Sequence, residues 1–349
     1  MTVSRYFSII IPVYNGGDQF KRCLTAVRQS TCTDWELIVV DDGSTDDSAR
    51  LAEQFGASVL KTSGRQGPAA ARNIGARAAT GRYLFFIDAD CEVQPATLTA
   101  SAEILMNDAG LDALFGSYDD APAAPGFIAQ YKNLFHRYIH QRSNEAASTF
   151  WTGCGVIERS VFLALGGFDA QRFRRPSVED IDLGYRLKQA GGRIHLARHV
   201  QVKHLKAWTL TGLLKSDILD RGIPWTRLIL RDHAFMQDLN LQTHNRISVV
   251  AIYGLLISLG AAFFQPQAIV LVLALAGLLL WLNRDLYRFF NQKRGLLFAL
   301  KVIPMHWLYY MYNALSFGCG LVLYWQERLK TETMPSPKPW VDSMESERN

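Results

Sequence analysis

The sequence has few of the features that mark nucleic-acid-binding or disulfide-stabilised proteins. Only five cysteines occur among its 349 residues, and no two of them form a CxxC pair. This argues against a zinc site and a disulfide framework, and it indicates a reducing compartment. The net charge is only +5, with no long run of lysine and arginine. We therefore expect no nucleic-acid partner, whereas a membrane surface or a phosphorylated substrate fits this charge.

Two further signals are missing near the start of the sequence. The apolar run Phe7–Val13 is short, contains Pro12 and is followed by no small-residue cleavage site, so we expect no signal peptide. The segment Val13–Gly17 (VYNGG) is too poor in glycine and basic residues for the phosphate loop of a nucleotidyltransferase. That class of enzyme is therefore disfavoured.

What the sequence does contain is a regular alternation of apolar runs and segments of helical periodicity. The predicted strands are Phe7–Val13, Trp35–Val40, Ser58–Lys61, Arg82–Ile87 and Thr152–Glu158. The predicted helices are Asp18–Ser30, Asp46–Phe55, Pro68–Thr80, Pro95–Asn107, Phe127–Gln141, Ser160–Leu165 and Glu179–Ala190. Such alternation is typical of βαβ units around a parallel sheet, so we predict an α/β fold.

Polar residues follow several of these strands, at the edge where ligands of parallel sheets bind. Tyr14 follows the first strand, Asp41 and Asp42 the second, and Asp88 and Asp90 the fourth. In an extended chain Asp88 and Asp90 would point to one side and repel each other unless a cation lay between them. A divalent metal on phosphate oxygens is one explanation, and a strand-end turn, where aspartate is common, is the other.

Suppose that the substrate is a nucleotide diphosphate sugar. Mg²⁺ or Mn²⁺ held by Asp90 and Asp88 would neutralise the diphosphate, and His204 is a further candidate for metal or phosphate contact. Arg72 and Asn73 could contact the ribose or phosphate.

An acceptor hydroxyl also needs a base, for which Glu179-Asp180 is the best candidate pair. The alternative is that these acids only complement the dipole of the helix that they begin.

Four segments, in this order and spacing, resemble family 2 glycosyltransferases with the A-type fold. They are Ser8–Gly17 (SIIIPVYNGG), Glu36–Ser48 (ELIVVDDGSTDDS), Gly67–Asp90 (GPAAARNIGARAATGRYLFFIDAD) and Gly166–Leu187 (GGFD…EDIDLGYRL). The resemblance covers about residues 4–204. It implies a Rossmann-like nucleotide-sugar-binding domain and an inverting transfer by single displacement.

The same resemblance implies roles for individual residues. Asp41 and Asp42 correspond to the nucleotide-binding acids, Asp88 and Asp90 to the metal-binding DxD, and Asp180 to the base. We place Pro12 and Tyr14 in the nucleotide-binding set as well.

The last third of the sequence is strongly apolar. Ile247–Phe264 is uncharged and long enough to span a membrane, and Ala268–Leu282 is a second, shorter run, so we predict a helical hairpin around Gln265–Gln267. Val302–Trp325 could span or lie in the interface. The basic segment between the last two runs should be cytoplasmic. The alternative is a core of helices in a soluble protein.

These observations give four predicted regions and a prediction of the activity. The regions are a catalytic domain (1–205), a linker that could lie on the membrane or pack on that domain (206–245), two to three transmembrane helices (246–325) and a polar tail (326–349). The segment Asp220–Trp225 (DRGIPW) departs from the QxxRW motif of the family's processive synthases. We therefore predict a single-addition enzyme.

Its partners would be a nucleotide diphosphate sugar and a lipid or lipid-linked acceptor. Its place would be the inner membrane, with several spans and a cytoplasmic catalytic domain. A membrane-tethered nucleotide-sugar-binding or scaffold protein without catalysis is the alternative.

Overall fold

A nine-stranded mixed sheet organises the first two thirds of the computed structural model, which describes residues 6–232 and 243–331. Its strand order is β3-β2-β1-β4-β8-β6-β9-β5, and β7 pairs with β9. The strands are β1 (Phe7–Val13), β2 (Trp35–Asp41), β3 (Ser58–Lys61), β4 (Tyr83–Ile87), β5 (Cys91–Val93), β6 (Ala113–Tyr118), β7 (Ala146–Ala147), β8 (Cys154–Glu158) and β9 (Ile194–His204).

The first four strands form the predicted parallel part of the sheet. β1 lies between β2 and β4 and runs parallel to both, and β3 extends this arrangement beyond β2. The side chains of β1 and β4 are almost all buried. Continuous apolar strands of this kind belong to sheets covered by helices on both faces. The carboxyl ends of these strands therefore meet at one edge, as the sequence predicted.

The second half of the sheet differs from the predicted all-parallel arrangement. β8 runs antiparallel to both β4 and β6, while β5 and β7 run antiparallel to β9. In the pair of β5 and β9, Cys91 lies opposite His204. This pairing brings the end of β9 to the turn that follows β4.

Seven helices of the described chain flank the sheet close to their predicted positions. They are α1 (Gly17–Arg28), α2 (Ser48–Gln54), α3 (Pro68–Ala78), α4 (Thr97–Asn107), α5 (Phe127–Arg142), α6 (Arg159–Ala164) and α7 (Glu179–Gln189). In α1 the predicted apolar face of Phe20, Leu24 and Val27 is buried, and Cys23 joins it. Pro68 occupies the first turn of α3, where its missing N–H costs nothing.

The segment after β9 packs on the C-terminal helices. It contains α8 (Leu210–Lys215), a π-helical stretch (Ser216–Gly222) and α9 (Ile223–Asp232). A Cβ atom on Gly222 would lie 2.7 Å from Cβ of Ser316, so the two backbones approach closely there. This contact is with the C-terminal helices, whereas the sequence left open the membrane surface and the catalytic domain, and both remain predictions.

The apolar last third forms four α-helices. They are α10 (Thr243–Ala262), α11 (Ile269–Leu282), α12 (Arg284–Arg294) and α13 (Leu296–Thr331), with a short 3₁₀ turn at Pro266–Ala268. α10 and α11 pack on each other around this turn, as the predicted hairpin requires.

Only α10, among the described residues, is by itself long and apolar enough to cross a membrane. A second span exists only if α11, extended by the 3₁₀ turn, and α12, bent by 62°, are taken together. The predicted two to three spans and multi-pass placement are therefore not confirmed, because α11 is short and α13 is interrupted by polar residues.

The predicted basic segment contains the helix α12. In α12, Lys293 Nζ lies 2.6 Å from a carboxylate oxygen of Asp120, and Arg294 Nε lies 2.8 Å from Oε1 of Gln130. These contacts fix α12 on the side of the sheet domain. Residues 233–242 of the predicted linker and 332–349 of the predicted tail lie outside the described residues.

Candidate functional site

A cavity of about 460 Å³ lies where β4, α3, α7 and the end of β9 meet. Its volume is in the range of small-molecule sites. Six of the residues selected from the sequence line it: Arg72, Asp88, Asp90, Glu179, Asp180 and His204. The structure thus brings together residues that are spread from the first quarter of the chain to its middle.

The two aspartates after β4 lie in a turn and not in an extended strand. β4 ends at Ile87, and the backbone N–H of Cys91 donates to the carbonyl oxygen of Asp88 at 3.0 Å. The extended geometry predicted for this pair is therefore wrong. Both acids still line the cavity, because the turn itself borders it.

Each of these two acids has a nitrogen-containing side chain as a partner of its own. Asp88 Oδ1 accepts from Nη2 of Arg72 at 2.6 Å, and Asp90 Oδ2 lies 3.4 Å from Nε2 of His204. The guanidinium of Arg72 therefore offsets part of the repulsion expected between two neighbouring carboxylates.

Arg72 holds three elements together at the edge of the sheet. Its side chain is buried, and Nη1 donates to Oε1 of Glu179 at 2.9 Å while Nη2 donates to Asp88. A buried guanidinium bound on two sides fixes both carboxylates in place. α3, the turn after β4 and the start of α7 are thus set relative to one another.

Asp90 and His204 form a candidate metal site. Burial alone would raise the pKa of Asp90, but the charge and hydrogen bond of His204 and the charge of Lys206 lower it to about 2. His204 Nδ1 lies 2.6 Å from Oδ1 of Asn133, which only accepts, so Nδ1 carries a proton and Nε2 faces Asp90. An ionised carboxylate and an imidazole nitrogen oriented in this way fit a divalent cation.

Cys91 completes a group with Asp90 and His204 whose ligand atoms lie within 4.8 Å of one another. Burial raises the pKa of the Cys91 thiol well above its usual value, and the charge of Asp90 adds to this. The sulfur therefore stays protonated. A thiol is a poor ligand for the hard cations that carboxylates bind, so Asp90 and His204 are the fitting pair.

The two acids that begin α7 have different surroundings. Glu179 is buried, and its two oxygens accept from Arg72 and from the backbone N–H of Ser177. Asp180 lines the cavity and accepts from the backbone N–H of Thr152 at 3.3 Å. Burial, and then the charge of Glu179, raise the pKa of Asp180 to about 6. Asp180 is therefore the better candidate for a general base, and Glu179 is held in place by Arg72 and Ser177.

The predicted nucleotide-binding residues of β1 and β2 lie outside the lining of this cavity. Tyr14 follows β1 and is 41% exposed, with the guanidinium of Arg65 4.1 Å from its ring centroid. Pro12 lies in β1 opposite Val40. Asp41 is buried at the end of β2, and Oδ1 accepts from the backbone N–H of Ser44 at 2.9 Å.

Asp42 and Asn73 make contacts that organise the backbone. The Asp42 carboxylate accepts from the backbone N–H groups of Gln66 and Gly67, each at 2.8 Å, at the entrance to α3. The amide of Asn73 exchanges two hydrogen bonds with the backbone of Phe168. Both residues support the site through the elements that they fix.

Several residues of the cavity were not predicted from the sequence. Asn133, Lys206, Trp208 and Arg221 line it, and they come from α5 and from the segment after β9. Within the described chain, three of the lining residues carry a buried N–H group without a hydrogen-bond partner: Arg72 Nε, Asn133 Nδ2 and Trp208 Nε1. Only Arg221 had a local signal, since Asp220–Trp225 stood out as a departure from QxxRW.

Comparisons with known proteins find glycosyltransferases similar to this sequence. Residues 8–166 match the model of the family described as Glycosyl transferase family 2. "Uncharacterized glycosyltransferase YibD" of Escherichia coli (strain K12) is 39% identical over 99 residues, 27% of this chain and 29% of that protein. "Glycosyltransferase AglE" of Haloferax volcanii is 39% identical over 93 residues, 25% of this chain and 31% of that protein. The chain thus matches less than a third of the length of these relatives.

A solved structure extends the similarity to most of the fold. The structure of "Mannosyltransferase PcManGT from Pyrobaculum calidifontis in complex with GDP-Man and Mn2+" superposes with a TM-score of 0.56. At 15% sequence identity it covers 93% of this chain and 88% of that one. This likeness establishes the fold.

Proposed function

We propose that the protein transfers one sugar from a nucleotide diphosphate sugar to a lipid or lipid-linked acceptor, because residues 8–166 match the model of Glycosyl transferase family 2. The observation that carries the proposal is one cavity lined both by the pair of Asp90 and His204 and by Asp180 with its raised pKa. A sugar transfer needs a site for the donor diphosphate and a general base within one cavity.

The donor diphosphate would lie on the side of Asp90. The unpartnered N–H groups of Arg72, Asn133 and Trp208 are donors suited to phosphate oxygens. The GDP-Man and Mn2+ bound by PcManGT support the same class of donor here. The nucleoside would extend toward Asp41 and Tyr14, at the ends of the neighbouring strands.

Asp90 and His204 would hold a divalent cation, which supplies positive charge to the diphosphate leaving group. The imidazole nitrogen favours Mn²⁺ over Mg²⁺, which prefers an all-oxygen set. Asp88 is already bound to Arg72 and contributes at most its second oxygen.

Asp180 would accept the proton of the acceptor hydroxyl. The hydroxyl oxygen forms a bond to the anomeric carbon, while the bond from that carbon to the diphosphate oxygen breaks. Its electron pair leaves with the nucleoside diphosphate, and the hydroxyl proton passes to Asp180. Because attack and departure occur on opposite faces, the anomeric configuration inverts. A base with a pKa of about 6 is ionised at neutral pH and strong enough for this transfer.

Membrane attachment would come through α10 and the helices that pack on it. Large apolar side chains of α10 and α11 point outward, among them Val250, Ile257 and Val270. Surfaces of this kind on a folded protein mark a membrane or partner interface. Since the basic helix α12 contacts the sheet domain, both would face the cytoplasm.

The test is calorimetric binding of UDP, GDP, dTDP and CMP to the detergent-solubilised protein, with and without Mn²⁺. We expect one diphosphate to bind in the presence of Mn²⁺, and Asp90→Ala to abolish the metal-dependent part. Asp108→Ala is the control, because Asp108 pairs with Arg193 next to the beginning of β9, at the end of that strand opposite His204.

Binding of none of the nucleotides would contradict the proposal. So would binding of one nucleotide that is unaffected by the metal and by Asp90→Ala.

A further inference from the structure

A second cavity of about 460 Å³ adjoins the first and lies between α5, α9, α10 and α13. The two cavities share six lining residues: Lys132, His136, Trp151, Ser177, Asp180 and Arg221. They therefore meet at the residue assigned as the base. A molecule that lies in the second cavity can present one end to Asp180.

The walls of this cavity are mainly aromatic and aliphatic. Phe135 and Ile139 come from α5, Trp225 from α9, Val249 from α10 and Phe317 from α13. The histidines of α5 add no charge, since burial lowers the pKa of His140 to about 3 and that of His136 well below its usual value. The cavity therefore presents apolar surface along most of its length.

Charged groups of the lining lie where the cavities meet and at the start of α10. Lys132 and Asp217 form an ion pair with each other. Arg221, at the junction, has no hydrogen bond or ion pair with any described residue, and its charge acts on Asp180. Arg246 lies in the first turn of α10. This distribution suits a ligand with a polar end and a long apolar part.

We propose that the second cavity holds the hydrocarbon chain of a lipid acceptor and places its polar end between Asp180 and Arg221. A sugar or peptide there would turn most of its hydroxyl or amide groups toward aromatic and aliphatic walls, which is costly. One wall of this cavity is α10, the helix that is long and apolar enough to cross a membrane. The inference rests on the proposed function and locates the binding site for the hydrocarbon chain of its acceptor.

Two neighbouring valines of α10 provide a matched test. Val249 lines the cavity, whereas Val250 is 74% exposed. Tritium-labelled 1-dodecanol and dodecyl phosphate are bound to the full-length protein in nanodiscs, with Val249→Trp and Val250→Trp as variants. The probes partition into the nanodisc bilayer equally for both variants. A difference in bound probe between the variants therefore measures binding in the cavity.

We expect Val249→Trp to bind at least one of the probes about tenfold more weakly, the loss expected when about two methylenes no longer fit. Val250→Trp should bind like the wild type. A preference for dodecanol would identify a hydroxyl acceptor, and a preference for dodecyl phosphate an anionic head group beside Arg221. Equal binding by both variants, or no binding by the wild type, would overturn the inference.

Metal-dependent diphosphate binding serves as the control for folding and for the proposed function. If Val249→Trp loses diphosphate binding, the binding of the probes is measured instead with Ile139→Trp, which alters the same cavity from α5. If diphosphate binding is intact and neither variant changes chain binding, the inference fails while the proposed function stands. Loss of diphosphate binding in the wild type itself would instead remove the proposed function.

Discussion

At the scale of single residues, the site depends on how neighbouring acids are partnered. Glu179 and Asp180 are adjacent in the sequence, and their residue types predicted them only as a pair, whereas the family resemblance pointed to Asp180. The structure separates them because Arg72 reaches Glu179 from α3 and leaves Asp180 facing the cavity. No local pattern encodes that difference, since it depends on a residue far away in the chain.

We expect Asp180→Asn to reduce transfer by roughly 10²–10⁴-fold. Asparagine keeps the shape and the hydrogen bonds of the side chain but cannot accept the proton. In the wild type, kcat/KM should fall below pH 6 by about tenfold per pH unit, because protonation of a base with a pKa of about 6 removes the reactive form. The measurement is a pH profile of transfer together with calorimetric diphosphate binding, which Asp180→Asn should retain.

Glu179→Gln is the control for this prediction. Its loss of charge leaves the buried Arg72 with Asp88 alone. We expect it to lower the free energy of unfolding by about 3 kcal/mol, the low end for a broken buried ion pair. An acidic limb near pH 6 that persists in residual Asp180→Asn activity would assign the base elsewhere.

At the scale of elements, the sequence predicted the part of the fold that local patterns encode. β1 to β4 and their helices follow from apolar runs and helical periodicity, and they form close to the predicted bounds. β6 and the pairing of β5 with β9 were not predicted. β6 pairs with β8 and β9, and β5 with β9, so these pairings connect segments far apart in the chain. That pairing sets Cys91 opposite His204 and so explains how His204 reaches Asp90.

Asp41 and Asp42 illustrate an element-scale effect that can be tested. Asp42 fixes the loop into α3 through two backbone N–H groups, whereas Asp41 accepts one backbone hydrogen bond within its own turn. We expect Asp42→Ala to destabilise the protein by about 3 kcal/mol and Asp41→Ala by about half as much. Asp41→Ala should instead weaken nucleotide binding more strongly.

The measurements are thermal unfolding and diphosphate calorimetry on both variants. A large loss of nucleotide affinity in Asp42→Ala with unchanged stability would reverse the two roles.

Asp217 connects three elements around the second cavity. Lys132 of α5 and Tyr312 of α13 both contact its carboxylate, which lies in the π-helical stretch. We expect Asp217→Ala to destabilise the protein by about 3–5 kcal/mol, because it leaves Lys132 buried without a counter-charge. Tyr312→Phe removes one hydrogen bond and should cost about 1 kcal/mol. Thermal unfolding in detergent measures both, and equal effects would contradict a central role for the ion pair.

At the scale of the whole molecule, the composition of the last third predicted apolar helices but not their relation to the site. The walls of the second cavity come from helices as distant in sequence as α5 and α13. Their side chains have the ordinary apolar pattern of any buried helix, so no signal marks them as a cavity. The proximity of Asp180 to the apolar helices is therefore visible only in the three-dimensional structure.

The membrane prediction belongs to this scale as well. Ile257 lies near the middle of the apolar run of α10 and is 72% exposed. If α10 spans a bilayer, Ile257→Arg should cost about 3 kcal/mol of insertion free energy and reduce the protein recovered in carbonate-washed membranes. Met106 on α4 is 65% exposed in the sheet domain, so Met106→Arg is the matched control and should leave recovery unchanged.

Recovery of the wild type in the soluble fraction would show that the exposed face of α10 has another function. In that case the hydrocarbon chain of the lipid acceptor would have to reach the second cavity from a soluble carrier instead of from the bilayer. The same experiment therefore decides how a lipid acceptor reaches Asp180.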